Sequence, residues 1–357
     1  MSEKRVIVVG GGYGGITVAK ALDDVARVTL VEPRANFVHN VAALRAVVDP
    51  SWAERIFIPY GGMLVHGDVR RDRAVAVREG TVELASGDVL TADYVVLATG
   101  SSYPFPAKIE DDGPQRLHEL HTALLGAGSV LLIGAGPVGI EFAGEIKAAW
   151  PEKRVIVADR SAELMPGDFP EEFRVRLREQ IDEMGIELRL GVDAAEIETD
   201  LSFRCYGAEV NTDYLGGGRV DVAPHGGGRV DVAPHGGGRV DVAPHGGRGV
   251  EVTPELRVRG SGTMFAVGDI TALPELKMAR LAGMHAEVVA ANIRSLLAGG
   301  TADRTYAPQP DAIVLPLGPK GGVTFSPEVG VLGAAESAAI KDGFYLDMYR
   351  ELLGANG

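Results

Sequence analysis

Two glycine clusters carry the residue types that hold a dinucleotide. The first runs Val6-Ile-Val-Val-Gly10-Gly11-Gly12-Tyr13-Gly14-Gly15, after an uncharged β-branched run and before a helical pattern. Gly10 permits a tight turn, Gly12 lets the backbone approach a pyrophosphate, and Gly15 lets helix and strand pack closely. An anion placed there meets free N–H groups and the positive end of a helix dipole. Glu32, 22 residues beyond Gly10, stands where an acid accepts hydrogen bonds from an adenosine ribose. The second cluster is Ile133-Gly134-Ala135-Gly136-Pro137-Val138-Gly139-Ile140-Glu141, with Asp159 closing the next strand pattern.

Two such turns 124 residues apart imply two nucleotides whose reactive rings meet. Hydride transfer between a nicotinamide and a flavin is the reaction that needs this arrangement. Asp159 favours NADH, because a carboxylate bonds a ribose 2′-hydroxyl and repels a 2′-phosphate; Arg160 beside it would tolerate NADPH. Two smaller pieces accompany the turns: Ala98-Thr99-Gly100-Ser101 after a strand, and Ala266-Val267-Gly268-Asp269 with a carboxylate at a strand tip. Either alone is an ordinary turn. In this order around the second glycine cluster they form the pattern of a flavoprotein that binds two dinucleotides.

The elements that position these residues follow a β–turn–α rhythm. Strands are expected at Arg5–Val9 and Arg27–Val31 around a helix over 14–23, then at Ser129–Ile133 and 154–158 around a helix over 138–149. A helix over 170–184 and strands at 186–190, 74–77, Thr81–Leu84 and Tyr94–Leu97 follow the same reading. A long helix is expected soon after Val267 and through about Leu297, and the Pro-rich stretch from Thr301 opens a third unit. The fold class is α/β, with two Rossmann-like domains and a small C-terminal α+β domain. The division is 1–121 with 252–300 for FAD, 122–251 for NAD(P), and 301–357 at the C-terminus.

Composition narrows the function classes. The 49 acidic against 35 basic side chains give a net charge of −14, which argues against nucleic acid, since phosphate binding needs a cationic face. One cysteine, Cys205, excludes a disulfide framework, a CxxC pair and the disulfide-reductase branch of two-dinucleotide proteins. No metal site is expected. No run of eighteen apolar residues spans a membrane, and the strand pattern begins by Arg5, without room for a signal peptide. Met1-Ser2 lacks the glycine for N-myristoylation, so no lipid anchor is expected and the protein is read as cytoplasmic. Peripheral membrane contact and the choice between monomer and homodimer stay open. Glycine is in excess, 48 of 357 residues. Twelve glycines fall in 216–249, where the decapeptide GGGRVDVAPH occurs three times without a mismatch as a tandem repeat. Ten residues are too few for a solenoid unit, so the repeat reads as an expanded loop rather than a metal site of His225, His235 and His245.

The combination GGGYGG, Phe37-Val-His39-Asn-Val-Ala-Ala-Leu-Arg45, ATGSSYPFP, GAGPVGIE, and AVGD followed by Lys277-Met278-Ala resembles the apoptosis-inducing-factor-like flavoprotein family. Within it the likeness is greatest to the ferroptosis-suppressor type of NADH:quinone oxidoreductase, a relative of type II NADH dehydrogenases. The resemblance implies an enzyme that passes hydride from NAD(P)H to FAD and electrons on to a quinone or similar small acceptor. It implies FAD at the first turn, with Gly10, Gly11, Gly12, Tyr13 and Gly14 on the pyrophosphate and Glu32 on the ribose. Arg45 and the backbone of Val65 would contribute, and Asp269 would take the ribityl and phosphate region. Thr99, Gly100, Gly207, Gly268, Lys277 and Met278 are counted with the cofactor-binding residues. His39 would lie near the flavin, Glu141 would help place the nicotinamide, and Lys341 would lie on the substrate side with Phe344. His39 also reads as a buried structural histidine and Lys341 as a solvated lysine. The chain departs from the family after Asp200, where a strand pair is missing, and at Val210-Asn211, where a proline usually precedes the asparagine. Two alternatives remain: a redox-sensing interaction protein that binds both nucleotides, or an engineered scaffold of this fold with little activity.

Overall fold

The computed structural model describes residues 4–109, 113–215, 222–224 and 248–355. Apart from Val222–Pro224, the tandem decapeptides and His225, His235 and His245 lie outside the described residues, as do Met1 and Ser2.

The β-branched runs form parallel strands buried on both faces. Strand β1 (Arg5–Val9) leads through the first glycine turn into helix α1 (Tyr13–Leu22) and back into β2 (Arg27–Val31). These two strands pair in parallel, Val6 opposite Val28 and Val8 opposite Leu30, all four fully buried. Burial of each such side chain contributes about 1.5–3 kcal/mol. The sheet takes its other strands from far along the chain, in the order Met264–Ala266, Tyr94–Leu97, β1, β2, Asp68–Arg70. A second parallel sheet repeats the unit: β3 (Ser129–Ile133), helix α2 (Pro137–Ala149) and β4 (Arg154–Asp159), flanked by Glu187–Leu190 and Leu201–Arg204. The C-terminal stretch adds an antiparallel sheet of Ile313–Leu317, Gly321–Ser326 and Gly330–Leu332, then two short helices.

The long helix α3 spans Ala279–Leu297, so it begins later than the pattern after Val267 suggests. A short 3-10 turn at Gly268–Ile270 comes first, and Pro274 lies in the irregular stretch that follows. Proline in that position has no N–H for a helix, and Lys277 donates to the Thr271 and Leu273 carbonyls at 2.9 and 3.1 Å instead. Helix α3 packs closely on α1. A Cβ added to Gly14 would stand 2.9 Å from Val267 Cγ2 and 3.3 Å from the Ala282 carbonyl oxygen. No helix among the described residues is long and apolar enough to cross a membrane.

Candidate active site

The two glycine turns are built alike. Gly10 and Gly134 take left-handed φ values of 103° and 122°, and their N–H groups donate to Val31 and Ala158 at 2.8 Å each. A Cβ on Gly15 would lie 1.9 Å from the Gly10 carbonyl oxygen, and one on Gly139 would lie 2.0 Å from that of Gly134. Only glycine lets each helix press this closely on its turn. Gly12 and Gly136, the residues that open the helices, have nothing within 4 Å of an added Cβ and no side-chain cap. Open space beside an uncapped helix N-terminus is the cradle a pyrophosphate requires.

The acids at the strand tips lock these turns. One Glu32 oxygen accepts from Gly11 N–H at 2.6 Å and the other from Arg34 N–H at 3.0 Å. Asp159 does the same with Ala135 N–H at 2.7 Å and Ser161 N–H at 2.8 Å. Glu32 is buried and further gripped by the Arg34 guanidinium at 2.8 and 3.0 Å. Burial pushes its pKa up, but the Arg34 side chain, with the Arg34 and Gly11 N–H groups, outweighs that and holds the carboxyl below its ordinary range.

A cavity of about 1900 Å³ runs along the first turn. Of the residues named from the sequence, Gly10, Gly12, Tyr13, Gly14, Glu32, Thr99, Gly100, Gly268, Asp269, Lys277 and Met278 line it. So do Val138 and Glu141 from α2, and Lys341 and Phe344 from the C-terminal stretch. Thr99 is fixed from a distant loop: its hydroxyl donates to the Asn211 carbonyl at 2.7 Å, and Asn211 Nδ2 returns a bond to the Thr99 carbonyl at 2.9 Å. Asp269 accepts from Ser101 Oγ at 2.6 Å and Lys108 Nζ at 3.1 Å. Burial pushes the Asp269 pKa up; Lys108, Ser101 and Lys277 reverse this and keep the carboxyl below its usual range. Burial in turn lowers the Lys277 ammonium, against Asp269 and Glu275. Ser101 and Lys108 were not singled out in the sequence, although both lie in the ATG segment and its continuation. An uncapped helix start, an open glycine and a partly buried ionised acid along one long cavity fit a bound FAD.

Glu141 projects from α2 into this cavity, and enclosure by protein pushes its pKa up to about 7. Lys341 and Arg45 pull that value down and Glu145 pushes it up. One helical turn on, the buried Glu145 receives the Arg45 guanidinium at 2.5 and 2.7 Å. Lys341 Nζ lies 5.6 Å from the Phe344 ring centre and Arg45 lies 5.1 Å from it on a cation–π contact.

Several expected residues are placed otherwise. Arg45 does not line the cavity, because Glu145 and the Phe344 ring engage its guanidinium. Val65 is outside it as well; its N–H donates to Asp23 Oδ2 at 2.5 Å, part of a loop clamp in which Asp23 also receives Gly67 N–H. Gly207, with φ 92°, turns the chain after Leu201–Arg204 and is absent from the cavity wall. Gly134, Gly136, Gly139 and Asp159 form their own turn beyond the wall that Val138 and Glu141 supply. His39 is fully buried behind Tyr13 and Tyr349 rather than facing the cavity. Its Nε2–H donates to the Phe344 carbonyl at 2.8 Å, and its Nδ1 is 3.3 Å from the Tyr13 hydroxyl, which itself accepts from Val41 N–H at 3.0 Å. Burial lowers its pKa to about 4, so the ring is neutral. This bond anchors an unusual backbone, since Phe344 and Tyr345 both take left-handed φ values, 52° and 61°. Cys205 is buried, and burial pushes its thiol up to about 12, so it is a packing residue.

The family model described as pyridine nucleotide-disulphide oxidoreductase matches residues 4–286. Ferroptosis suppressor protein 1 of Taeniopygia guttata is 32% identical over 336 residues, covering 89% of this chain and 87% of that one. Apoptosis-inducing factor homolog B of Dictyostelium discoideum is 27% identical over 371 residues, covering 97% and 96%. The sulfide:quinone oxidoreductase structure from Aquifex aeolicus superposes with a TM-score of 0.74 at 19% identity, covering 99% of this chain and 92% of that one, and shares its fold. The chain belongs to the pyridine nucleotide-disulphide oxidoreductase family and is an FAD-dependent NAD(P)H oxidoreductase.

Proposed function

We propose that the chain delivers the electrons of NAD(P)H to a quinone-like acceptor, with NADH preferred. The observation that carries this reading is one continuous cavity lined by the first glycine turn, by Glu141 of the second unit, and by Phe344, Tyr345 and Tyr349 of the C-terminal stretch. Bound FAD would supply the redox chemistry that couples hydride donation by a nicotinamide to reduction of a second substrate. The protein supplies binding and orientation. Gly10 to Gly14 hold the pyrophosphate, Glu32 the adenosine ribose, and Asp269 with Lys277 and the Thr99–Gly100 turn the remainder of FAD. Gly134, Gly136, Gly139 and Asp159 hold the nicotinamide nucleotide, and Asp159 disfavours a 2′-phosphate. Glu141 steers the nicotinamide end toward the shared cavity, and Lys341 stands on the acceptor side. Ile313, Val314, Phe325 and Met348 also line the cavity, and such an apolar wall suits a flat apolar acceptor. On this reading 1–121 with 252–300 hold FAD, 122–251 hold NAD(P)H, and 301–357 cover the acceptor side.

Anaerobic titration with NADH and then NADPH, followed by a soluble quinone, tests this. The expected result is a yellow protein bleached by about one equivalent of NADH and recoloured by quinone. Bleaching that no quinone reverses would favour a redox sensor, and a protein that NADH cannot bleach would contradict the reading.

A further inference from the structure

A buried side-chain network behind the Gly268–Asp269 turn has no part in the roles assigned above. His285, on α3, is 1% exposed, and its Nδ1 lies 3.0 Å from Gly268 N. Gly268 N–H can only donate, so Nδ1 accepts and the ring proton sits on Nε2. That Nε2–H donates to Glu275 Oε1 at 2.7 Å, between side chains only 2% and 1% exposed. Glu275 Oε2 accepts from the Tyr306 hydroxyl at 2.7 Å and from Gln309 N–H at 2.9 Å. Against the cost of burial, bonds from His285, Gln309 and Tyr306 hold the Glu275 carboxyl below its ordinary range. The Tyr306 ring meets the imidazole edge-on at 4.4 Å. One network thus joins α3, the loop before it and the tail at 306–309 to a single backbone N–H.

That N–H belongs to a constrained residue. Gly268 has a left-handed φ of 75°, and a Cβ there would lie 3.2 Å from Ala282 Cβ. The next residue, Asp269, carries the partly buried carboxylate that lines the cavity. The direction of the Gly268 N–H fixes the Val267–Gly268 peptide plane, the one that leads into the turn carrying Asp269. We infer that His285 is a positioning residue whose Nδ1 sets the Gly268–Asp269 turn for FAD, with Glu275 holding the ring in the tautomer that lets Nδ1 accept. The inference rests on the reading that Asp269 faces FAD.

Two substitutions of similar size separate the partners. In His285→Asn the amide oxygen stands close to where Nδ1 was and still accepts from Gly268 N–H. In His285→Gln the amide nitrogen stands close to where Nε2 was, keeps Glu275, and leaves Gly268 N–H buried and unpaired. FAD retention is measured by diluting the holoenzyme and following free-flavin fluorescence, with melting of each protein recorded alongside. The expected outcome is FAD binding within about threefold of the parent for Asn and about tenfold or more weaker for Gln, at matched melting temperatures. Equal weakening in both, or none in Gln, would overturn the inference and leave His285 as packing. Asp269→Ala is the companion: unchanged FAD retention there would overturn the placement of FAD, and the inference with it.

Discussion

The two glycine turns of this chain have nearly superimposable hydrogen bonding and different surroundings. Each has a left-handed first glycine, an acid that ties the second N–H of the turn, and a third glycine pressed against the first carbonyl. The acids differ. Glu32 is 3% exposed and doubly bound by Arg34, whereas Asp159 is half-buried, and Arg160 beside it reaches outward to Asp193 at 3.1 Å with its side chain 83% exposed. The first turn lines the large cavity through its own glycines; the second reaches it through Val138 and Glu141. A closed site suits a cofactor that stays, and an open one suits a nucleotide that must leave each turnover.

Substitutions at matched positions should break the turns in different ways. The largest effect is expected from alanine at the third glycine, where a methyl group collides with backbone. Gly15→Ala should give a colourless protein without FAD, while Gly139→Ala should stay yellow and be reduced by NADH about a hundredfold more slowly. Visible spectra and anaerobic reduction rates check both. Next come the acids. Glu32→Ala leaves Gly11 N–H unpaired in a buried place and should cost about 3 kcal/mol, read by denaturant unfolding. Asp159→Ala should cost less and lower the kcat/KM preference for NADH over NADPH about tenfold.

Glu141 gives a pH test. Its carboxyl is raised from 4.5 to about 7, so the neutral form is favoured in the fold and ionisation disfavours folding. Its destabilising effect is absent below about pH 4.5, grows as pH rises to about 7, and is constant above. Glu141→Gln should therefore melt a few degrees higher than the parent at pH 8 and no higher at pH 4, roughly as a small ΔΔG shifts a melting point. The smallest effect is expected at Asp193→Asn. Freeing an exposed arginine from a solvated ion pair should shift the NADPH to NADH ratio by about threefold or less.

What was legible in the sequence is what is local. Both glycine turns, their acids and the strands and helices that hold them follow from spacing and periodicity, and most boundaries agree to within a residue or two. What was illegible depends on partners brought together from afar. Arg45 has the right charge for a phosphate, but Glu145, 100 residues on, claims it. The Val65 N–H goes to Asp23, and His39 is enclosed by residues 305 positions apart in the case of Phe344. The His285–Glu275 network left no motif, since its members come from α3, an irregular loop and the tail. The late start of α3 has a local cause in Pro274, which lacks an N–H for the helix and disfavours helical backbone in the residue before it.

The most direct test of the claim that the two turns serve one cavity is anaerobic stopped-flow reduction of Glu141→Ala by NADH. Glu141 is the cavity-lining acid that α2 contributes. The expected result is a protein that keeps its FAD spectrum and is reduced by NADH at least about tenfold more slowly than the parent. Reduction at the parental rate, with FAD bound, would contradict it.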